Sequence, residues 1–343
     1  MKTIWIVSEG SPGHVSQSIG LACALDILVP LQTITITGRA TLRGWVRPII
    51  RWLMGPHGRP LNDFLLHRIA DIKIPSDAPL PDLIVSSGGK SVFVGKTLAE
   101  RYKVPYIFIG ERKPYPASWF HTVISPVPKE ACDNSIEIEL IPTPVTPDLI
   151  AQKGTTEKGL WCMIIGGTSR SRRFSERDWI NLAKGMNSLA QQHNIRWLLT
   201  TSRRTGKEVE ALLRQIINPE TIVDAIWWAE EPRRELYKFM AEAELLVVTQ
   251  DSITMVTEAV SSGKPVIALQ PQKIVATSDN FSVTYFDRLE KNNRIVQTRC
   301  QDLSSISVDL GQFRSTEGSL SSDVSKQLLN RLAWISSEDL TKT

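Results

Sequence analysis

ELLVVTQDSITMVTEAVSSGKPVIAL, residues 244–269, sets the pattern by which the rest of the chain is read. Leu245–Thr249 is an apolar, β-branched run and reads as a strand. Gln250-Asp251-Ser252 interrupts it, a helix follows through Ser261, and Gly263-Lys264-Pro265 turns the chain into a second apolar run, Pro265–Leu269. Strand, crossover helix and second strand make the unit of a parallel sheet. The first half echoes it: Asp82-Leu83-Ile84-Val85, a Ser/Gly loop, a helix, then Val104-Pro105-Tyr106-Ile107.

Outward from these stretches the same alternation continues. Thr3–Val7, Gln32–Thr37, Leu83–Ser86, Pro105–Ile109 and Thr122–Ile124 read as strands, with helices over Ser16–Leu28 and up to Tyr102. In the second half, Trp161–Ile165 and Trp197–Thr201 are strands, and Ser175–His193 and Lys207–Ile216 are helices. IPTPVTPDLIAQKGTTEKG, residues 141–159, carries three prolines and a polar tail and separates the two series. The expected organisation is α/β, with two Rossmann-like domains facing each other across a cleft. Residues 1–148 form an N-terminal acceptor domain, 149–159 a linker and 160–320 a C-terminal donor domain. Residues 321–343 form a terminal helix packing back on the first domain.

A chain of 343 residues exceeds what one core ordinarily supports. Hydrophobic content of 42% and charged content of 22% are those of a water-soluble globular protein. Cys23, Cys132, Cys162 and Cys300 form no CxxC pair, which speaks against a zinc site or disulfide framework and suits a reducing cytoplasm. The N-terminus is a strand rather than a signal peptide. The longest apolar stretch, Ile19–Leu31, contains Asp26 and falls short of the ~20 residues needed to cross a bilayer. A cytoplasmic location is expected, with peripheral attachment to the inner face of the cytoplasmic membrane as an extension. The net charge of +4 gives no reason to expect nucleic acid as a partner.

Three strand-end loops carry the candidate chemistry, since ligands of open α/β sheets bind beyond the carboxyl ends of the strands. Ser8-Glu9-Gly10-Ser11-Pro12-Gly13-His14 lacks the GxGxxG spacing of a dinucleotide site. Gly10 and Gly13 admit a ligand to the backbone, and Glu9 or His14 is a candidate general base. Gly88, Gly89 and Lys90 follow the echoing strand and join this acceptor side; GGKS here lacks the upstream glycine of a P-loop. In the second half, Gly166, Gly167, Thr168, Ser169, Arg170 and Arg173 follow one strand, and Thr201, Ser202, Arg203 and Arg204 follow the next. Backbone amides, hydroxyls and guanidinium forks are the groups a diphosphate requires. Asp251 and Ser252 begin the helix that carries Met255 and Glu258, where a carboxylate could accept from ribose hydroxyls. A plain N-cap is the competing role for Asp251 or Ser252.

DSITMVTEAVSSGKPVIAL (251–269) resembles the donor-site helix of GT-B glycosyltransferases and of the related UDP-GlcNAc epimerases. Together SEGSPGHVSQSIGLACAL (8–25), IGGTSRSRRF (165–174), LLTTSRRTG (198–206) and VVTQDSITMVTEAVSSGKPV (247–266) resemble the mitochondrial-fission ELM (elongated mitochondria) family, whose bacterial members are regarded as glycosyltransferases. The resemblance covers roughly residues 1–270 and implies a GT-B fold, a nucleotide-sugar donor in the second domain and an acceptor in the first. Ser8-Glu9 stands where an Asp is expected before the first glycine. The loop is also similar to the glycine–histidine loop of the GlcNAc transferase that makes lipid II, which keeps His14 a candidate. The implied function is sugar transfer to an acceptor hydroxyl in cell-envelope polysaccharide or lipopolysaccharide synthesis, onto a lipid-linked or lipopolysaccharide acceptor. Alternatives are a nucleotide-sugar epimerase of the same fold and a non-catalytic binding protein like the fission-factor branch. The chain has no Asp-x-Asp pair to hold a divalent metal on a diphosphate, so neither metal nor cofactor is expected, the nucleotide sugar being a substrate.

Arg39, Arg43, Arg47 and Arg51 recur every fourth residue within a stretch, Ile27–Leu61, that has no acid. Leu42, Trp45, Val46, Ile49, Trp52 and Leu53 occupy mostly the other face. Arg39–Met54 is expected either to lie on an anionic membrane surface or to bury its apolar stripe in the core, with Pro48 as a kink.

Overall fold

The computed structural model describes residues 1–41, 44–127, 132–169, 171–275, 281–316, 318 and 320–334. The chain divides into two units, Met1–Pro144 with Ser319–Thr343, and Val145–Gly318.

In the first unit β1 (Lys2–Ser8) leads into α1 (Pro12–Asp26) and β2 (Leu31–Ala40). Then come α2 (Arg47–Met54), α3 (Asp63–Ile69), β3 (Ala70–Lys73), β4 (Leu83–Ser87), α4 (Val92–Tyr102), β5 (Tyr106–Ile109), β6 (Thr122–Ser125) and β7 (Ser135–Glu137). They form a seven-stranded sheet of order β3-β2-β1-β4-β5-β6-β7. All neighbours are parallel except the antiparallel pair β2/β3. Strand order therefore reverses between β1 and β4, with Ile4 opposite Leu83. β1 and β4 are buried on both faces, as their unbroken apolar runs require. Trp5, Phe93 and Trp119 anchor this core, and the indole N–H groups of Trp5 and Trp119 donate to the carbonyls of Pro79 and Gly55, each at 3.0 Å.

The second unit contains α5 (Pro147–Ala151), β8 (Leu160–Ile164), β9 (Arg172–Arg173), α6 (Glu176–His193), β10 (Arg196–Thr200), α7 (Lys207–Ile216), β11 (Ile222–Ile226) and α8 (Leu236–Glu242). β12 (Leu245–Thr249), α9 (Ile253–Ser261), β13 (Val266–Gln270), β14 (Lys273–Ile274), α10 (Phe281–Lys291) and β15 (Val296–Arg299) complete it. Its six-stranded parallel sheet has the order β11-β10-β8-β12-β13-β15, so the reversal falls between β8 and β12. α6 is fixed at its start by a capping box, Ser175 with Asp178, and packs through Trp179, Leu182, Met186 and Leu189. After this unit α11 (Ser322–Arg331) returns to the first, packing beside α1, and Arg331 donates to the carbonyl of Ser135.

Two boundaries differ from the sequence reading. α1 starts at Pro12 rather than Ser16, because proline at the first helical position lacks only an N–H that would be unpaired there anyway. Gly13 and His14 thus belong to its first turn, not to a loop. The break between units lies at Pro144/Val145 instead of residue 148, and the proline-rich stretch taken as a linker holds α5, capped by the Thr146 side chain accepting from the Leu149 amide at 3.1 Å.

Candidate functional site

Each sheet has one place where loops from adjacent strands leave in opposite directions, and a crevice opens there in open α/β sheets. In the second unit this place is the pair β8/β12. Gly166, just past β8, is its hub. The Gly166 amide donates to Thr249 Oγ1 at 2.8 Å, and Thr249 Oγ1 donates to Asp251 Oδ1 at 2.7 Å. The Gly166 carbonyl accepts from Ser202 Oγ at 2.8 Å and also from Thr205 Oγ1. One residue thereby ties together the loops after β8, β10 and β12. A Cβ on Gly166 would meet Asp251 Oδ1 at 2.2 Å, and one on Gly167 would meet the Arg204 carbonyl at 2.4 Å. The Asp251 carboxylate at Gly166 and the Arg204 backbone at Gly167 approach too closely for a side chain, so both positions favour glycine.

Asp251 is buried, with Oδ2 2.6 Å from Arg204 Nη2. Burial pushes its carboxyl above the ordinary aspartate value; the Arg204 charge and the hydrogen bonds from Thr249 and the Gly167 amide offset only part of that. Arg203 and Arg204 are exposed at the rim, Arg204 held by Asp251 and Arg203 lining the adjoining pocket. This pocket has a volume of about 480 Å³. Ile164, Ile165, Thr200 and Thr201 form one side of it, and Trp228, Arg233, Leu236, Tyr237 and Met255 are among the others. Arg233 is held by a two-point pairing with Asp224, at 2.6 and 3.1 Å, which lowers the Asp224 carboxyl below its usual value. The Tyr237 hydroxyl is pushed up to about 12 by burial, and the charge of Glu258 adds to the rise. The charge of Glu258 thus reaches the pocket wall at Tyr237.

The other expected residues have more local duties. Thr201 lines the pocket, but its hydroxyl is engaged with Glu210 Oε1 at 2.6 Å and the Ile226 carbonyl, while accepting from the Trp228 amide at 2.8 Å. Ser252 is the N-cap of α9, its side chain accepting from the Met255 amide at 3.3 Å. Ser169 closes its own turn with Arg172, and Thr168 is exposed. Arg173 is exposed on the small β9/β14 ribbon, and Arg170 lies outside the described residues. Arg172, one of the arginines following β8, is not a rim group. It is buried, stacks over Phe286 at 5.0 Å, and donates to Gln250 and Ser282. Trp228, Arg233 and Tyr237 escaped the sequence reading. They follow β11 (Ile222–Ile226), whose thin apolar signal left the strand and the loop after it unread.

In the first unit the reversal at β1/β4 brings together Glu9, after β1, and Gly88–Lys90, after β4. Glu9 Oε1 is 2.8 Å from His14 Nδ1, and Oε2 accepts from the Lys90 amide at 2.8 Å. Burial raises the Glu9 carboxyl, but the hydrogen bond and charge of His14 and the Lys90 amide and charge outweigh it, and the net shift is downward. A carboxylate can only accept, so in this contact the imidazole donates from Nδ1. The Glu9 side chain is 9% exposed and that of His14 38%, so His14 is the member of the pair that faces outward. Gly88, at φ +91°, lies beneath the pair, where a Cβ would meet His14 Nδ1 at 2.3 Å. The Gly89 carbonyl accepts from the Tyr115 hydroxyl at 2.8 Å, and the Gly10 amide donates to Ser8 Oγ at 3.1 Å.

A family model described as mitochondrial fission ELM1 matches residues 12–316. An uncharacterised protein of Rickettsia prowazekii (strain Madrid E) is 23% identical over 311 residues, spanning 78% of this chain and 83% of its own. Among solved structures, the UDP-GlcNAc 2-epimerase of Methanocaldococcus jannaschii is similar at a TM-score of 0.57 and 11% identity, covering 98% of this chain and 100% of that one. MurG of Acinetobacter baumannii is similar at 0.50 and 12% identity, over 98% and 100%. These are likenesses of fold: two Rossmann-like α/β units in one chain, GT-B-like.

Proposed function

The chain belongs to the mitochondrial fission ELM1 family, and from the site just described we propose that it is a nucleotide-sugar-dependent glycosyltransferase. The observation that carries the proposal is the junction of three loops at Gly166, with Arg204 at its rim, beside the pocket walled by Trp228 and Tyr237. An aromatic-walled pocket suits a nucleobase and ribose, with Glu258 for the ribose hydroxyls. Gly166, Gly167, Arg203 and Arg204 suit the diphosphate, whose charge the guanidinium groups take without a metal. In this reading the first unit supplies the base. His14 Nε2 takes the proton of an acceptor hydroxyl, the hydroxyl oxygen bonds to the anomeric carbon, and the bond from that carbon to the diphosphate breaks, its electron pair leaving on the phosphate. A lipid-linked or lipopolysaccharide acceptor in envelope synthesis is the class we propose.

The test is a thermal-shift screen of UDP-, GDP-, CMP-, dTDP- and ADP-sugars, followed by transfer and donor-hydrolysis assays with the donor that stabilises. His14→Ala is expected to lower turnover by roughly 10²–10⁴-fold with donor stabilisation retained, and Glu9→Gln by less. Full activity in both variants removes the pair as the base. Isomerised sugar formed from donor alone favours the epimerase alternative, and no stabilisation by any donor favours a non-catalytic binding protein.

A further inference from the structure

α2 is turned inside out. Ile50 and Met54 point into the core and Arg47 and Arg51 are half-buried, whereas Trp45, Ile49 and Trp52 are 68%, 49% and 78% exposed. Ile49 and Trp52 share one stripe of α2, Trp45 stands in the 3-10 turn Gly44–Val46 just before it, and Leu53 flanks the stripe, also exposed. The inner arginines serve the fold: Arg51 Nη1 donates to the Pro114 carbonyl at 3.1 Å, and both charges act on the hydroxyl of buried Tyr115. The tryptophans thus do not enter the core, and Arg47 and Arg51 do not form the outward face. Leu42 and Arg43 lie outside the described residues.

Exposed cations follow this apolar stripe along the chain. Arg59 is exposed just beyond α2, its amide donating to the Met54 carbonyl at 2.8 Å. On α3, Phe64 is 83% exposed, with exposed Arg68 one turn further along the same face. Nearby Asp63 is already paired with Arg101 at 2.5 Å. Indoles among arginines suit the headgroup level of a bilayer, where an apolar ring with one polar edge is best accommodated. A two-fold contact between copies of this chain would set the same cations against each other. A helix of eight residues is about 12 Å long, so it can lie on a bilayer but not cross it.

We propose that Trp45, Ile49 and Trp52 dock the first unit on the surface of an anionic lipid bilayer, with Arg59 and Arg68 against the lipid phosphates. This stands apart from the transfer reading, because its test measures lipid binding and not turnover. The full chain is sedimented with phosphatidylcholine vesicles, with and without phosphatidylglycerol. Binding is expected only to the anionic vesicles, weakened by salt. Trp45→Ala with Trp52→Ala should weaken it on the order of tenfold, and Arg59→Gln or Arg68→Gln by about fivefold each, with unchanged far-UV circular dichroism in every variant. Three results overturn the proposal: no sedimentation with anionic vesicles, sedimentation indifferent to the tryptophan pair, or a concentration-dependent dimer that the tryptophan changes abolish while vesicles stay unbound.

Discussion

Asp251 and Glu9 each follow a strand that flanks a strand-order reversal, Glu9 after β1 and Asp251 after β12, and their surroundings push their acidities in opposite directions. Asp251 is raised above 3.8, since burial outweighs Arg204, and Glu9 is lowered below 4.5, since His14 and Lys90 outweigh burial. For Glu9 the linked stability is fully present above 4.5 and is lost as pH falls through the lower folded value. For Asp251 the neutral form is favoured by folding, so stability is greatest below 3.8 and declines as pH rises through the higher folded value. Urea unfolding from pH 3 to 7 should therefore separate the two. Glu9→Gln loses the acid-limb dependence that His14 and Lys90 confer, while Asp251→Asn gains on the wild type as pH rises. The same pH slope in both variants would contradict this account. At this scale much of the site was legible: Gly166, Arg204 and Asp251 stand out as types a diphosphate site uses. Their mutual contacts were not, because Asp251 is 85 positions from Gly166 and only the β8/β12 pairing brings them together.

Elements with their own punctuation could be read directly, as α7 over Lys207–Ile216 and β12 over Leu245–Thr249 illustrate. α2 could not, since its period reveals a stripe without saying which stripe meets the core. Ile50 and Met54 take the inward places, and Trp45 and Trp52 are left outside. β11 was missed for another reason. Its residues are only partly buried at the sheet edge, so the apolar signal is thin, and the Trp228 and Tyr237 walls that follow it were missed with it. What holds that wall is the tie between β10, α7 and the loop after β11. Thr201 bonds Glu210 and receives the Trp228 amide, and the Ala229 amide also donates to Glu210, at 3.2 Å. Thr201→Val leaves a buried carboxylate and an amide each short of a partner, which costs about 1–3 kcal/mol. A drop in urea midpoint together with weaker nucleotide stabilisation is expected. An unchanged midpoint would show that the tie carries no load.

For the whole molecule, two α/β units follow from the repeated strand–helix rhythm, and both adopt a strand order that reverses beside the first strand of the unit. Composition misled only about where they part. Prolines between Ile141 and Pro147 suggest a linker, but Thr146 and Pro147 are an N-cap and a first helical residue, so the same residue types start α5. Each unit has its own hydrophobic core, one around Trp5, Phe93 and Trp119, the other around Trp179, Met186 and Trp197. A ligand that binds only the native second unit stabilises that unit by mass action, by about 2.7 kcal/mol at a free concentration a hundred times its Kd. For a unit of this size that corresponds to a rise of roughly 5–10 °C in its transition. Scanning calorimetry with the stabilising nucleotide should accordingly raise the transition of Val145–Gly318, identified by the loss of its shift in Gly166→Ala. That substitution drives a methyl into Asp251, so it disturbs the loop after β8 while leaving the core of the first unit untouched. A shift that survives Gly166→Ala would mean the nucleotide binds elsewhere.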